Sequence, residues 1–118
     1  MTSATSSREL AHPTREEIRL EGVLHALSDP IRLRIVREMA VGDAELPCSY
    51  FTLPVTKSTT THHFRVLRES GVIRQVYRGT AKINGLRRDD LQALFPGLLD
   101  SILAAAEGQA ERIGHAEV

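Results

Sequence analysis

Tryptophan is absent from the 118-residue chain, aromatic residues make up only 4% of it, and there is one cysteine. So few aromatics leave the core to Leu, Ile and Val, and a chain of this length supports one domain around one such core. A lone cysteine excludes an internal disulfide and fits a reducing compartment. Also missing is any apolar run near the ~18 residues a membrane span requires. The first residues, Met1 to Glu9, lack the apolar stretch of a secretory signal. The expectation is a soluble cytoplasmic protein without a membrane partner.

Net charge is missing as well, since 15 basic residues balance 15 acidic ones. The distribution, however, is lopsided. Between Lys57 and Arg88 stand eight basic residues (Lys57, Arg65, Arg68, Arg74, Arg78, Lys82, Arg87, Arg88) and one acid, Glu69, so the segment carries +7 and the rest −7. A basic stripe of this kind is the footprint of a nucleic-acid face, because neutralising phosphates releases counterions. The acidic remainder would keep other surfaces off a duplex.

Residues 1–13 are rich in Ser and Thr, contain His12-Pro13, and read as a flexible arm. Residues 14–106 read as the folded domain and 107–118 as a polar, fraying tail. Thr14 with Glu17 is a capping-box pattern, and Ile18, Leu20, Val23, Leu24 and Leu27 supply the apolar face of a first helix from Thr14 to about Ala26. Ser28-Asp29-Pro30 restarts the chain as a second helix from Pro30 to about Ala40, with Arg32, Arg34 and Arg37 off its apolar face. Ala44 to about Phe51 suggests a short third helix, limited by Pro47. After Thr52-Leu53-Pro54, the stretch from about Thr56 to Ser70 is helical again. It places Thr60, Phe64 and Leu67 inward at i, i+4, i+7. Outward go Lys57, Ser58, Thr59, Thr61, His62, Arg65 and Arg68, all hydrogen-bonding side chains suited to phosphates and base edges, with no carboxylate among them. Past Gly71 the period changes: residues 72–77 and 80–84 flank Arg78-Gly79 as a β-hairpin. Asp89-Asp90 starts a helix, which is interrupted at Pro96-Gly97 and then resumes.

This order of elements is a winged helix-turn-helix: mainly α with a small β-hairpin (α+β). In such folds the second helix of the pair enters the major groove and the wing reaches the flanking backbone. The blocks Leu27-Ser28-Asp29-Pro30-Ile31-Arg32-Leu33-Arg34-Ile35-Val36, Lys57-Ser58-Thr59 and His62 through Ile73 resemble bacterial transcriptional regulators of the ArsR/SmtB type, and the likeness runs from about Glu17 to Leu103. The resemblance implies a homodimer, paired through its first and last helices, that acts as a repressor on an imperfect palindrome in double-stranded DNA. It places DNA contacts at Lys57, Ser58, Thr59, Thr61, His62, Arg65 and Arg68, and wing contacts at Arg74, Gln75, Tyr77, Arg78 and Thr80. Two-fold symmetry would set the two reading helices about 34–36 Å apart.

Many relatives of that type respond to a metal, yet neither of the usual sites is matched here. Glu45-Leu46-Pro47-Cys48-Ser49-Tyr50 offers one cysteine where a Cys-x-Cys pair would stand. Asp100 has no His two residues on. The remaining candidates for a transition-metal effector such as Ni²⁺ or Zn²⁺ are His12, His115 and Glu117; none is required as a cofactor. Cys48 reads as a small packed hydrophobe. Enzymatic activity is not expected: His62 and His63, about 100° apart on a helix, cannot easily share a metal, and no Gly-rich phosphate loop occurs. The alternative function is a winged-helix protein-interaction module regulated by a partner protein, with a basic face that does not read DNA.

Overall fold

Asp29 and Pro30 begin a helix as their chemistry dictates. In the computed structural model, which describes residues 10–42 and 45–114, the Asp29 carboxylate accepts from the backbone N–H of Ile31 (2.9 Å) and Arg32 (3.1 Å). Two of the otherwise unsatisfied first-turn donors are met in this way. The helix they start, α2 (Pro30–Gly42), buries Ile31, Ile35, Val36 and Met39. Before it runs α1 (Leu20–Leu27), which buries Val23, Ala26 and Leu27.

The first helix is shorter than its pattern predicts. Thr14 and Glu17 do close on each other, with the Thr14 N–H 2.9 Å from Glu17 Oε1, but they close a 3-10 turn over Arg15–Glu17. The chain then extends at Ile18 and Arg19 before α1 begins. Ile18 is buried, and this break lets it drop into the core.

The expected third helix is not formed. Leu46–Pro47 is instead a short edge strand, β1, and Cys48–Tyr50 a 3-10 turn. Pro47 has no N–H for a helix or a central ladder, which leaves it an edge. The helix-turn-helix is completed by α3 (Lys57–Glu69), whose first turn is capped by the Thr56 hydroxyl accepting from the Thr59 N–H at 3.2 Å. Thr56→Ala is expected to cost about 1 kcal/mol in chemical denaturation.

At its other end α3 stops with two backbone bonds, Gly71 N–H to Arg68 O and Val72 N–H to Leu67 O. This Schellman closure needs a left-handed residue, and Gly71 supplies it at φ +88°. There follow β2 (Ile73–Arg78) and β3 (Ala81–Leu86), the wing hairpin, with Gln75 opposite Asn84. On the far side of β3 lies β1, with Leu46 opposite Asn84, so the sheet has three antiparallel strands in the order β1-β3-β2. The chain ends in α4 (Arg88–Leu94) and α5 (Leu98–Ile113), separated at Gly97 by a left-handed residue. Since α5 continues to Ile113, residues 107–113 are helical and not a frayed tail.

The core is aliphatic as expected. Phe64 and Leu67 of α3 share one core cluster with Ile35 and Met39 of α2, Ile73 of β2 and Leu91 of α4. Phe51 adds one of the few aromatic contacts, its ring centre 5.4 Å from that of Phe64. No helix among the described residues is long and apolar enough to cross a membrane.

Candidate nucleic-acid interface

The outer side of α3 is built as its sequence requires. Lys57, Ser58, Thr61, His62 and Arg65 are exposed, and Thr59 is half-buried behind the cap. The Thr61 hydroxyl donates back to Lys57 O at 3.0 Å, which leaves its lone pairs outward. Phe64, Leu67 and His63 face in. On the hairpin, Arg74, Arg78 and Thr80 are exposed, and Tyr77 lies half-buried beneath the Lys82 ammonium, 5.7 Å from its ring centre. Arg78 is held 2.9 Å from Glu45, with both side chains well exposed. Such a pair is weak, so a phosphate can take its place.

Gln75 does not belong to this surface. It is fully buried, because the strand alternation that exposes Arg74 turns Gln75 inward. Its Oε1 accepts from Arg68 at 2.6 Å and its Nε2 donates to Asn84 Oδ1 at 2.7 Å; Asn84 Nδ2 in turn points at Leu46 O (3.1 Å) and Cys48 Sγ (3.2 Å). Arg68 is therefore half-buried, with Nε on Ala11 O at 3.2 Å. It ties α3 to the wing. Buried amides are normally satisfied within the protein, and those of Gln75 and Asn84 are bonded to their neighbours and not offered to a ligand.

The arm residues 10–13 are part of the same assembly. Besides Ala11, His12 Nε2 accepts from the Gln75 backbone N–H at 3.0 Å and Pro13 O accepts from Arg87 at 2.7 Å. Burial is the main cause that lowers the His12 pKa; a hydrogen bond to the Leu10 backbone opposes it, and the charges of Arg68, Arg87 and Arg74 add to it.

A pin beneath α3 also escapes a reading of the sequence. Arg32 lies 8% exposed, with Nε donating to Ala26 O at 2.7 Å and Nη1 3.1 Å from His63 Nδ1. One guanidinium thus joins the end of α1, the start of α2 and the middle of α3. The spacing of Arg32 from Ile31 and Ile35 gave no hint of it; the only signal was a Pro-Ile-Arg that begins a helix with no acid in its first turn. His63 has its pKa lowered, mainly by burial, then by the charges of Arg32 and His62, against Asp29, which raises it. Asp89 stays at the start of α4, while Asp90 is lowered by hydrogen bonds from Arg15 and Arg87 at 2.7 and 2.9 Å.

These residues do not fit a metal. The Cys48 thiol is faced by Asn84, Asp100 lies 3.6 Å from Arg88, and His12 is engaged by a backbone N–H. Among the described residues no three His, Cys, Asp or Glu side chains converge. His115 and Glu117 lie outside the described residues.

No family model matches the chain. The uncharacterized HTH-type transcriptional regulator YceK of Bacillus subtilis (strain 168) is 34% identical over 89 residues, a match that spans 74% of this chain and 88% of that protein. The crystal structure of an ArsR family transcriptional regulator superposes with a TM-score of 0.55 at 22% identity, covering 78% of this chain and 96% of that one. An ArsR-like transcriptional regulator from Rhodococcus sp. RHA1 gives 0.54 at 22% identity, over 83% of this chain and 94% of the other. The helices, the wing and these likenesses agree: the chain belongs to the HTH-type transcriptional regulators and has the winged-helix fold of the ArsR type.

Proposed function

We propose that the protein is a homodimeric repressor that reads an imperfect palindrome with α3 and holds flanking phosphates with its wing. One observation carries this reading: α3 presents Lys57, Ser58, Thr61, His62 and Arg65 to solvent from a helix fixed on its other side by Phe64 and Leu67. Side chains that must read base edges need such a rigid support. The dimer is supported by α1 and α5. Leu20 and Leu24 remain 44% and 45% exposed and Ile113 73% exposed, a waste of apolar surface unless a second copy covers it.

The test is fluorescence anisotropy on the protein's own upstream DNA and on a scrambled duplex, at fixed and at varied salt. Arg65→Ala and His62→Ala are expected to erase most of the preference for the upstream duplex. Arg78→Ala should weaken both duplexes alike and flatten the salt slope by about one unit. Equal losses on both duplexes for all three variants would leave a protein-interaction module in place of a sequence reader. Ni²⁺, Zn²⁺ and chelator belong in the same titration, as His115 and Glu117 are the ligands still to be tried.

A further inference from the structure

A groove of about 650 Å³ runs between the first turns of α3, the turn before it and the start of β3. Its apolar lining comes from Phe51, Leu53, Val55 and Phe64, and its two charged residues are Lys57 and Lys82. No Asp or Glu lines it. The contrast with the other large concavity is informative. There Arg15, Arg74, Arg87 and Arg88 share about 410 Å³ with Glu45, Asp89 and Asp90, and Arg15 and Arg87 are already bonded to Asp90. Carboxylates within that concavity offset most of its positive charge, and the groove beside α3 has none to offset its two lysines.

A passing DNA backbone accounts for the two ammonium groups but not for what lies between them. A phosphodiester gains nothing from Leu53 and Val55 above a floor of the largely buried rings of Phe51 and Phe64, whereas ligand sites for small molecules combine such a lining with a few convergent polar groups. The volume also lies within the ~300–1,000 Å³ common to such sites. We propose that the groove binds a small organic anion, a carboxylate or sulfonate on a compact aromatic or short aliphatic body, and that this anion and DNA exclude one another. Lys57, Thr61 and Thr80 line the groove and also belong to the surface proposed to face the duplex. An occupant would therefore take cations and space that DNA needs. The exclusion rests on the DNA-binding reading; the anion site does not.

Anilinonaphthalenesulfonate, an aromatic body with one sulfonate, is the probe, titrated by fluorescence into the full chain. Its affinity is expected to fall about tenfold in Lys82→Gln, as for loss of a charge-assisted bond. The uncharged N-phenylnaphthylamine should bind wild type and Lys82→Gln equally, and saturating upstream duplex should expel the sulfonate. Unchanged sulfonate affinity in Lys82→Gln overturns the anion site and places the dye on the apolar faces of α1 and α5, whereas a probe that stays bound under saturating duplex overturns the exclusion. If the duplex itself binds without selectivity, the repressor reading fails separately, and the Lys82→Gln comparison still decides whether the groove is an anion site.

Discussion

Gly71→Ala is expected to lower the unfolding free energy by about 2–4 kcal/mol, the sum of a left-handed backbone penalty and an overpacked core. The residue sits at φ +88°, and a methyl group there would lie 2.5 Å from Ile18 Cγ1 and 2.7 Å from its Cδ1. Ile18 cannot retreat readily, since it is buried under the end of α3. The measurement is the urea midpoint, with the slope unchanged if the folded state is otherwise intact. Ile18→Ala separates the two causes. In the double variant the clash is gone and the backbone penalty stays, so the two losses should sum to more than the double variant shows. Strict additivity would show that the contact is harmless and the backbone alone decides.

Arg32→Ala should cost a similar amount, about 2–4 kcal/mol, because it removes a buried guanidinium and leaves Ala26 O and His63 Nδ1 without their donor. The same site gives the protein a pH dependence. Nδ1 of His63 must be unprotonated to accept from Arg32, and Nε2 of His12 must be unprotonated to accept from Gln75. Both pKa values are lowered in the folded state. As pH falls past the ordinary imidazole value near 6.5, the unfolded chain takes up protons first, so stability declines with acidification and is fully present above that value. Asp90, lowered chiefly by Arg15, loses its contribution only further down, below the ordinary carboxylate range. Thermal unfolding at a series of pH values checks the order of these steps. In Arg32→Ala one of the charges that lowers His63 is gone, and the slope below pH 6.5 should become shallower. An unchanged slope would place the effect at His12.

What could be read in the sequence is what local rules govern. Phe64 and Leu67 recur at helical spacing, Asp29-Pro30 starts a helix, and the alternation after Gly71 makes a hairpin; each depends on residues a few positions apart. The elements that escaped depend on distant partners. Leu46-Pro47 is a strand only because Asn84 and Ile83 lie opposite it. Ile18 leaves its helix because Gly71, more than fifty residues on, offers a space without a side chain. For the candidate interface, most of the outward set on α3 was legible because a helix reports its own faces; Arg68 was not, since it turns back to Gln75 and Ala11. Gln75 was not, since its neighbours in the strand, Arg74 and Val76, say nothing of Arg68 or Asn84. Arg32 read only as one of three arginines off the apolar face of its helix.

The run of bonds from Arg68 through Gln75 and Asn84 to β1 has a meaning for how such a protein can change its target. On the proposed DNA-binding reading, helix and wing in one protomer are locked as a single stamp, with a fixed offset between the letters one would print and the margin the other would hold. New letters can be cut by substituting exposed residues on α3 without disturbing that offset. The distance between the two half-sites, by contrast, is not written on the stamp at all. In a dimer it would be set by α1 and α5, so a lineage that adopts a differently spaced operator must alter its subunit contact and can leave its DNA face untouched.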